Sequence, residues 1–236
     1  MNKRITFIGA GNMASSLIGG LIAKGTNAQS ICASEPEASR RAYIEQQFGI
    51  ITEPDNVADC KNADVIVLAV KPQIIRQVCT PLAGQLRPEQ LVISIAAGIT
   101  VASLSQWLQH DNIVRCMPNT PALLQQGISG LFASPTVTEA QRSFAETILQ
   151  AAGMVVWLDN EQQIDAVTAV SGSGPAYFFL LVEAMIEAGQ KLGLSEEKAS
   201  VLAKQTALGA ARMLCESPLS AIELRHQVTS PQGTTD

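Results

Sequence analysis

The sequence predicts an α/β protein in which an N-terminal, doubly wound parallel sheet is followed by an all-helical C-terminal domain. Three observations predict it. Strand-like and helix-like segments alternate from Ile5 to Leu158, as in a sheet covered by helices on both faces. The signature Gly9-x-Gly11-x-x-Ala14 stands between the first strand and the first helix. After Asn160 the segments are helical in character and the strand signal disappears. The domain boundary is therefore expected near Asn160, giving residues 1–160 and 161–236.

Ile5–Ile8 reads as a buried strand. Gly9 permits the tight turn after it, Gly11 lets the backbone approach a pyrophosphate, and the small Ala14 lets the next helix pack on the strand. That helix runs from Asn12 to Lys24 and stops at Gly25. Its N-terminus offers free N–H groups and the positive end of a dipole to phosphates. The turn reads as a dinucleotide-binding site; an ordinary strand–turn–helix corner is the plain alternative. Ser30–Ser34 is strand two, and Pro36 starts a charged helix that ends at Phe48 before Gly49. Ile50-Ile51 is a short third strand. Asp64–Val70 and Leu91–Ile95 are continuous and rich in β-branched residues, as central parallel strands should be, and Asn112–Met117 is another. Ile128–Ala133 and Met154–Leu158 read as far-edge strands, with the capping box Thr138-x-x-Gln141 opening a helix between them. Ile164–Val170, Pro175–Leu192 and Ser195–Cys215 read as helices. Ala176–Val182 is apolar on every side, which assigns it to a core or a subunit interface.

The unusual loops share an address. Gly9–Ala14, Lys71-Pro72-Gln73, Ala96-Ala97-Gly98 and Pro118-Asn119-Thr120-Pro121 each follow a predicted strand. Ligands bind at the carboxyl edge of an open parallel sheet, so these loops point to one cleft. Taken singly, each has a plainer reading. Lys71 is then a solvated strand-end lysine, Pro118 and Pro121 shape a turn, and Asn119 is an Asx-turn residue. Val170–Ala176, between two predicted helices, is a site of close backbone approach or an interhelical hinge, with Gly174 at the cap and Pro175 at the first helical position. Val228–Thr235 is a hydroxyl-rich turn able to cradle a carboxylate, or a frayed tail.

Composition narrows the function. The chain has 236 residues, 47% hydrophobic and 16% charged, enough for one large domain or two modest ones. A net charge of −5, with no basic run beyond Lys3-Arg4 or Arg40-Arg41, argues against nucleic acid or an anionic membrane as partner. The five cysteines (Cys32, Cys60, Cys79, Cys116, Cys215) are scattered without C-x-x-C, which suits reduced thiols in a cytoplasmic protein. His110 and His226 lie far apart, and no metal site is expected. Met1 leads directly into a strand, so no signal peptide is expected. Apolar runs such as Val65–Val70 are too short to span a bilayer.

With these residues quoted, the chain resembles the pyrroline-5-carboxylate reductase family over nearly its whole length. The resemblance is carried by FIGAGNMA (7–14), LAVKPQ (68–73), SIAAGI (94–99), RCMPNTPA (115–122), VSGSGPAYFF (170–179) and VTSPQGTT (228–235). It implies a Rossmann-type first domain and a helical second domain that dimerises by interlocking with its partner, dimers often assembling into decamers. It implies reduction of 1-pyrroline-5-carboxylate to L-proline, the last step of proline biosynthesis, with NADPH expected and NADH as the alternative. Carried over by motif, the cofactor residues are Ile8, Gly9, Ala10, Gly11, Asn12, Met13, Ser34, Asn56, Ala69, Val70, Lys71, Pro72, Ala96, Ala97 and Gly98. The substrate carboxylate falls to Ser230, Gly233, Thr234 and Thr235, with part of the site expected from the partner subunit.

Three departures bear on these expectations. Gln232 stands where the family has the first Gly of S-P-G-G, which bears on backbone freedom beside the carboxylate. Glu35 follows strand two, where an acid favours NADH by binding the ribose 2′-hydroxyl and repelling a 2′-phosphate. Ser34, Ser39, Arg40 and Arg41 are the candidates to hold that phosphate instead. The family also continues beyond the Thr pair with another helix, so the chain reads as truncated.

The reaction requires a hydride at the imine carbon and a proton on the ring nitrogen. The cofactor carries the hard chemistry and the protein supplies orientation. No His, Asp or Glu stands out as general acid, and a cyclic imine can take its proton from solvent. Thr235 is the hydroxyl expected near the ring nitrogen, directly or through a water. One rival is a β-hydroxyacid dehydrogenase, whose resemblance requires G-x-G-x-x-x-K; counted from Gly172, the Lys position is Phe178, and no Lys lies between Gly153 and Gln190. The other is a non-catalytic dinucleotide-binding protein, in which Ser171–Ala176 and Ser230–Thr235 are structural.

Overall fold

The structure, a computed structural model, describes residues 3–229, the side chains of residues 58 and 59 excepted. Ser230, Gly233, Thr234 and Thr235 lie outside the described residues. By its contacts the chain divides into Met1–Pro175 and Ala176–Asp236.

The first unit begins with β1 (Ile5–Ile8), α1 (Asn12–Ala23), β2 (Ile31–Ser34), α2 (Ala38–Phe48), β3 (Ile51–Glu53) and α3 (Asn56–Asn62). β4 (Val65–Leu68), α4 (Ile75–Cys79), β5 (Leu91–Ser94), α5 (Val101–Leu108) and β6 (Ile113–Met117) follow. β7 (Gly127–Ala133), α6 (Glu139–Leu149) and β8 (Gly153–Trp157) complete the sheet. Its eight strands run in the order β3-β2-β1-β4-β5-β6-β7-β8. Successive side chains of a strand point to opposite faces, and both faces here are apolar. Ile5, Phe7, Val65 and Val67 enter one core with Leu17, Ile18 and Ile148. Ile8, Ile66 and Leu68 enter the other with Ile75, Leu82 and Leu104. That double burial explains why these strands read as unbroken apolar runs.

The sheet is not wholly parallel, as the alternation implied: β6 and β7 pair antiparallel. Their link is a short 3-10 turn, Thr120–Leu124, closed by Gln125 at φ 58°. A parallel return needs a long crossover, usually a helix, and this link has none. The helix expected from Pro36 starts at Ala38 instead, after Glu37 at the cap. The capping box at Thr138 and Gln141 is present, an arrangement that stabilises a helix start by about 1 kcal/mol.

Cys79 and Cys116 are buried, and loss of hydration pushes each thiol from 9.0 to about 12. An unfolded chain ionises them above pH 9 while the folded chain keeps their protons. Their contribution is therefore complete below about pH 9 and is lost as pH climbs toward 12. Urea midpoints should fall through that range, and should fall less in Cys79→Ala/Cys116→Ala; equal slopes would contradict the assignment.

After β8 the described residues hold helices and no strand. α7 (Gln163–Val167), a π-turn (Thr168–Gly172) and α8 (Gly174–Lys191) form one continuous helical run. The expected break at Ser171–Pro175 is absent. Ser173 N–H bonds instead to the Thr168 carbonyl at 2.8 Å, five residues back. Widening the turn just before Pro175, which has no N–H to donate, keeps the run helical.

In the second unit Gly189 of α8 lets α9 (Glu196–Glu216) approach: a Cβ there would stand 3.1 Å from Ala199 Cβ. Ser195 caps α9, and a capping box of Ser220 and Glu223 opens α10 (Ala221–Val228), the Ser220 hydrogen bonds holding the Glu223 carboxyl below its usual range. Phe178, Phe179 and Leu180 are 58%, 68% and 65% exposed. The core reading of Ala176–Val182 thus does not hold within this chain. The run Gln163–Lys191 has a mean hydropathy of 1.4 over its most apolar window, and by length and composition it is long enough to cross a bilayer. That corrects the expectation drawn from short apolar runs, which ignored how few charges interrupt this helix.

Candidate active site

Register brings the strand ends level. Ile8 pairs with Ser34 on one side and Leu68 on the other, and Leu68 pairs with Ser94. The order reverses at β1 and β4, and a crevice at such a reversal is where an open α/β sheet takes its ligand. The loops after β1, β4 and β5 border it.

Gly9 holds φ +93°, and a Cβ would lie 2.7 Å from the Ala69 carbonyl, so only glycine fits between the two loops. Gly11 is different. It sits at the N-cap of α1 with φ −67°, makes no side-chain cap, and a Cβ would meet nothing within 4 Å. The space above it is open and the first N–H groups of α1 face it without a side-chain acceptor. That arrangement fits a pyrophosphate. Asn12 is exposed and Met13 half-buried against the core.

Two charged groups flank the turn. Glu35 Oε2 accepts from Ala10 N–H at 3.1 Å, and its Oε1 from Glu37 N–H at 3.2 Å. Arg40 donates from Nε to the Ala10 carbonyl at 2.6 Å and from Nη2 to Ser15 Oγ at 2.8 Å. Arg41 is turned away, onto the Glu35 and Pro36 carbonyls. Ser34 is buried, its Oγ 3.5 Å from the Asp55 carbonyl. Asn56 lies at the start of α3, where Asp55 caps the helix, and lines a cavity of about 280 Å³ with Val57, Ile74 and Val78.

Farther along the edge, Ala69, Val70 and Pro72 are half-buried and Lys71 is exposed. Ala96 is buried, and Ala97 and Gly98 are exposed, with Gly98 at φ +73°. Asn119 is nine-tenths buried, and its Oδ1 accepts from Ile128 N–H at 2.9 Å. It braces β7, and the Asx turn expected of it is not formed, since its side chain makes no cap bond to the turn that follows. Two residues that sequence reasoning passed over stand behind this edge. Arg115 on β6 is 5% exposed and donates from Nη1 to Glu161 Oε1 at 2.9 Å. An arginine inside an apolar strand was the available signal, because such a charge needs a partner.

Residues 161–236 match the family model described as pyrroline-5-carboxylate reductase dimerisation. Residues 4–98 match the one described as NADP oxidoreductase, coenzyme F420-dependent. The chain is 59% identical to a pyrroline-5-carboxylate reductase of Pseudomonas aeruginosa, over 99% of this chain and 86% of that protein. The chain belongs to the pyrroline-5-carboxylate reductase family. A solved pyrroline-5-carboxylate reductase of Coxiella burnetii superposes with a TM-score of 0.91 at 45% identity, covering 100% of this chain and 88% of that one. The Plasmodium falciparum pyrroline carboxylate reductase, solved with NADP bound, gives a TM-score of 0.87 at 29% identity, covering 99% of this chain and 87% of that one. Phe178 stands where a β-hydroxyacid dehydrogenase would need its lysine. The β-hydroxyacid dehydrogenase reading is accordingly not favoured.

Proposed function

We propose that this reductase binds NADPH along the carboxyl edge of its sheet and uses it to reduce 1-pyrroline-5-carboxylate to L-proline. The observation that carries the reading is the open, uncapped start of α1 at Gly11, at the same carboxyl edge of the sheet as the loops that follow β4 and β5. The α1 amides would hold the pyrophosphate. Arg40 and Asn56 would hold the adenosine half, and Lys71, Pro72 and the Ala96–Gly98 loop the nicotinamide half. When bound, the dinucleotide supplies the hydride that adds to the imine carbon. The chain's part is to hold the two rings in contact, exclude water and keep the substrate carboxylate on Ser230, Gly233, Thr234 and Thr235. Thr235 is the hydroxyl assigned by motif to the ring nitrogen, whose proton comes from solvent.

Arg40 is the partner we assign to the 2′-phosphate; Glu35 opposes it. The name of the family model matched by residues 4–98 and the NADP-bound relative support this choice. The exposed apolar face of α8 is covered by a second copy of the chain rather than by lipid, because residues 161–236 match a dimerisation model. Scattered thiols, three of the five buried, suit a cytoplasmic setting.

The test follows substrate-dependent oxidation of NADPH and of NADH. NADPH should show the lower KM, and Arg40→Ala should raise it roughly tenfold while leaving NADH little changed. A preference for NADH that ignores Arg40 would overturn the cofactor assignment.

A further inference from the structure

Arg115 places a charge inside an apolar strand, between Val114 and Cys116, both buried. Its counter-charge comes from outside the sheet. Glu161, in the turn after β8, accepts Arg115 Nη1 at 2.9 Å and, on the same Oε1, the backbone N–H of Val101 at 2.7 Å. Asp165 of α7 stands farther off, 3.9 Å from Nη2, and is 85% exposed. Val101 is the first residue of α5, directly after the Ala96–Gly98 loop and its cap Thr100. One carboxylate therefore ties the middle of β6, the start of α5 and the turn that leads into α7. Arg115 Nε is buried without a hydrogen-bond partner among the described residues. A buried ion pair seldom stabilises a fold more than a well-packed apolar pair of similar volume. Its distinguishing property is geometric, a single arrangement where an apolar contact tolerates many.

We propose that the Arg115–Glu161 pair is a positioning device for the reductase reaction. It fixes the start of α5, and with it the Ala96–Gly98 loop, against the turn after β8, and so fixes the nicotinamide half of the cleft. The proposal rests on the reductase reading of that cleft. Neither residue touches the reacting atoms. The two halves of a dinucleotide lie on either side of the switch point, and this loop, after β5, is on the half away from Arg40. Gly98 has no Cβ to restrain it, so restraint comes from the anchored end at Val101.

Two variants test the pair. Arg115→Met/Glu161→Met removes both charges together, leaving neither buried and unpaired. Glu161→Gln keeps an acceptor for Val101 N–H and removes only the charge. Turnover by the parent chain is measured first, because a parent that oxidises no NADPH with 1-pyrroline-5-carboxylate overturns the reductase reading itself. Given an active parent, kcat of the double variant should fall roughly tenfold to a hundredfold, the scale of a misplaced hydride donor. NADPH affinity should hold, because the adenosine half is untouched. The isotope effect with NADPH deuterated at the transferred position should rise, and Glu161→Gln should lie between parent and double variant. Unchanged kcat and isotope effect in folded protein would overturn the proposal, as would a lower Tm alone. If the double variant does not fold, Glu161→Gln carries the same comparison.

Discussion

Gly11→Val is expected to fold as the parent does and to bind NADPH roughly a hundredfold more weakly, about 2.7 kcal/mol. The separation of folding from binding follows from the backbone. Gly11 has φ −67° and ψ −176°, values open to any residue, and a Cβ there meets nothing within 4 Å. Its side chain would project into the space assigned to the pyrophosphate and hold the phosphates off the α1 amides. Gly9 offers no such separation, because its φ of +93° and the Ala69 carbonyl at 2.7 Å make any substitution there a structural injury as well. Thermal unfolding and a fluorescence titration of NADPH check both halves of the expectation. A Gly11→Val chain that binds NADPH as the parent does would remove the pyrophosphate from this turn.

Gly153→Ala should damage the fold itself. Gly153 and Gly127 are register partners at the start of β8 and β7. Gly153 holds φ +143°, and a Cβ would stand 2.0 Å from the Gly127 carbonyl oxygen and 2.6 Å from its carbon and nitrogen. All three are backbone atoms of a paired strand and cannot turn aside. Strain of this kind belongs to the severe class of single substitutions, about 4 kcal/mol or more, or a drop in Tm of roughly 8–16 °C for a chain of this size. Thermal unfolding decides it; a Tm within a degree or two of the parent would mean that β7 and β8 do not meet at these glycines.

Much of this was legible in the sequence, and the exceptions have physical causes. β1, β4 and β5 announce themselves because strands buried on two faces must be apolar throughout, and Gly9 because only glycine takes its backbone. The short helices α3 and α4 do not, since five to seven residues carry too little periodicity to register. The direction of β7 is set by the length of the link before it, which a residue pattern does not encode. Val170–Ala176 suggested a break because Gly and Pro usually end helices; the π-turn absorbs the proline instead. The candidate cleft was readable as loops after strands, but the Arg115–Glu161 pair was not. Its residues are 46 positions apart and meet only once β6 and the turn after β8 are in place.

The most direct measurement follows the transferred hydrogen. The chain is incubated with 1-pyrroline-5-carboxylate and NADPH deuterated at nicotinamide C4, and the product is analysed by mass. The account predicts L-proline carrying deuterium at C5, formed in step with NADPH consumed. Oxidation of NADPH without labelled proline, or no oxidation that depends on 1-pyrroline-5-carboxylate, would contradict it.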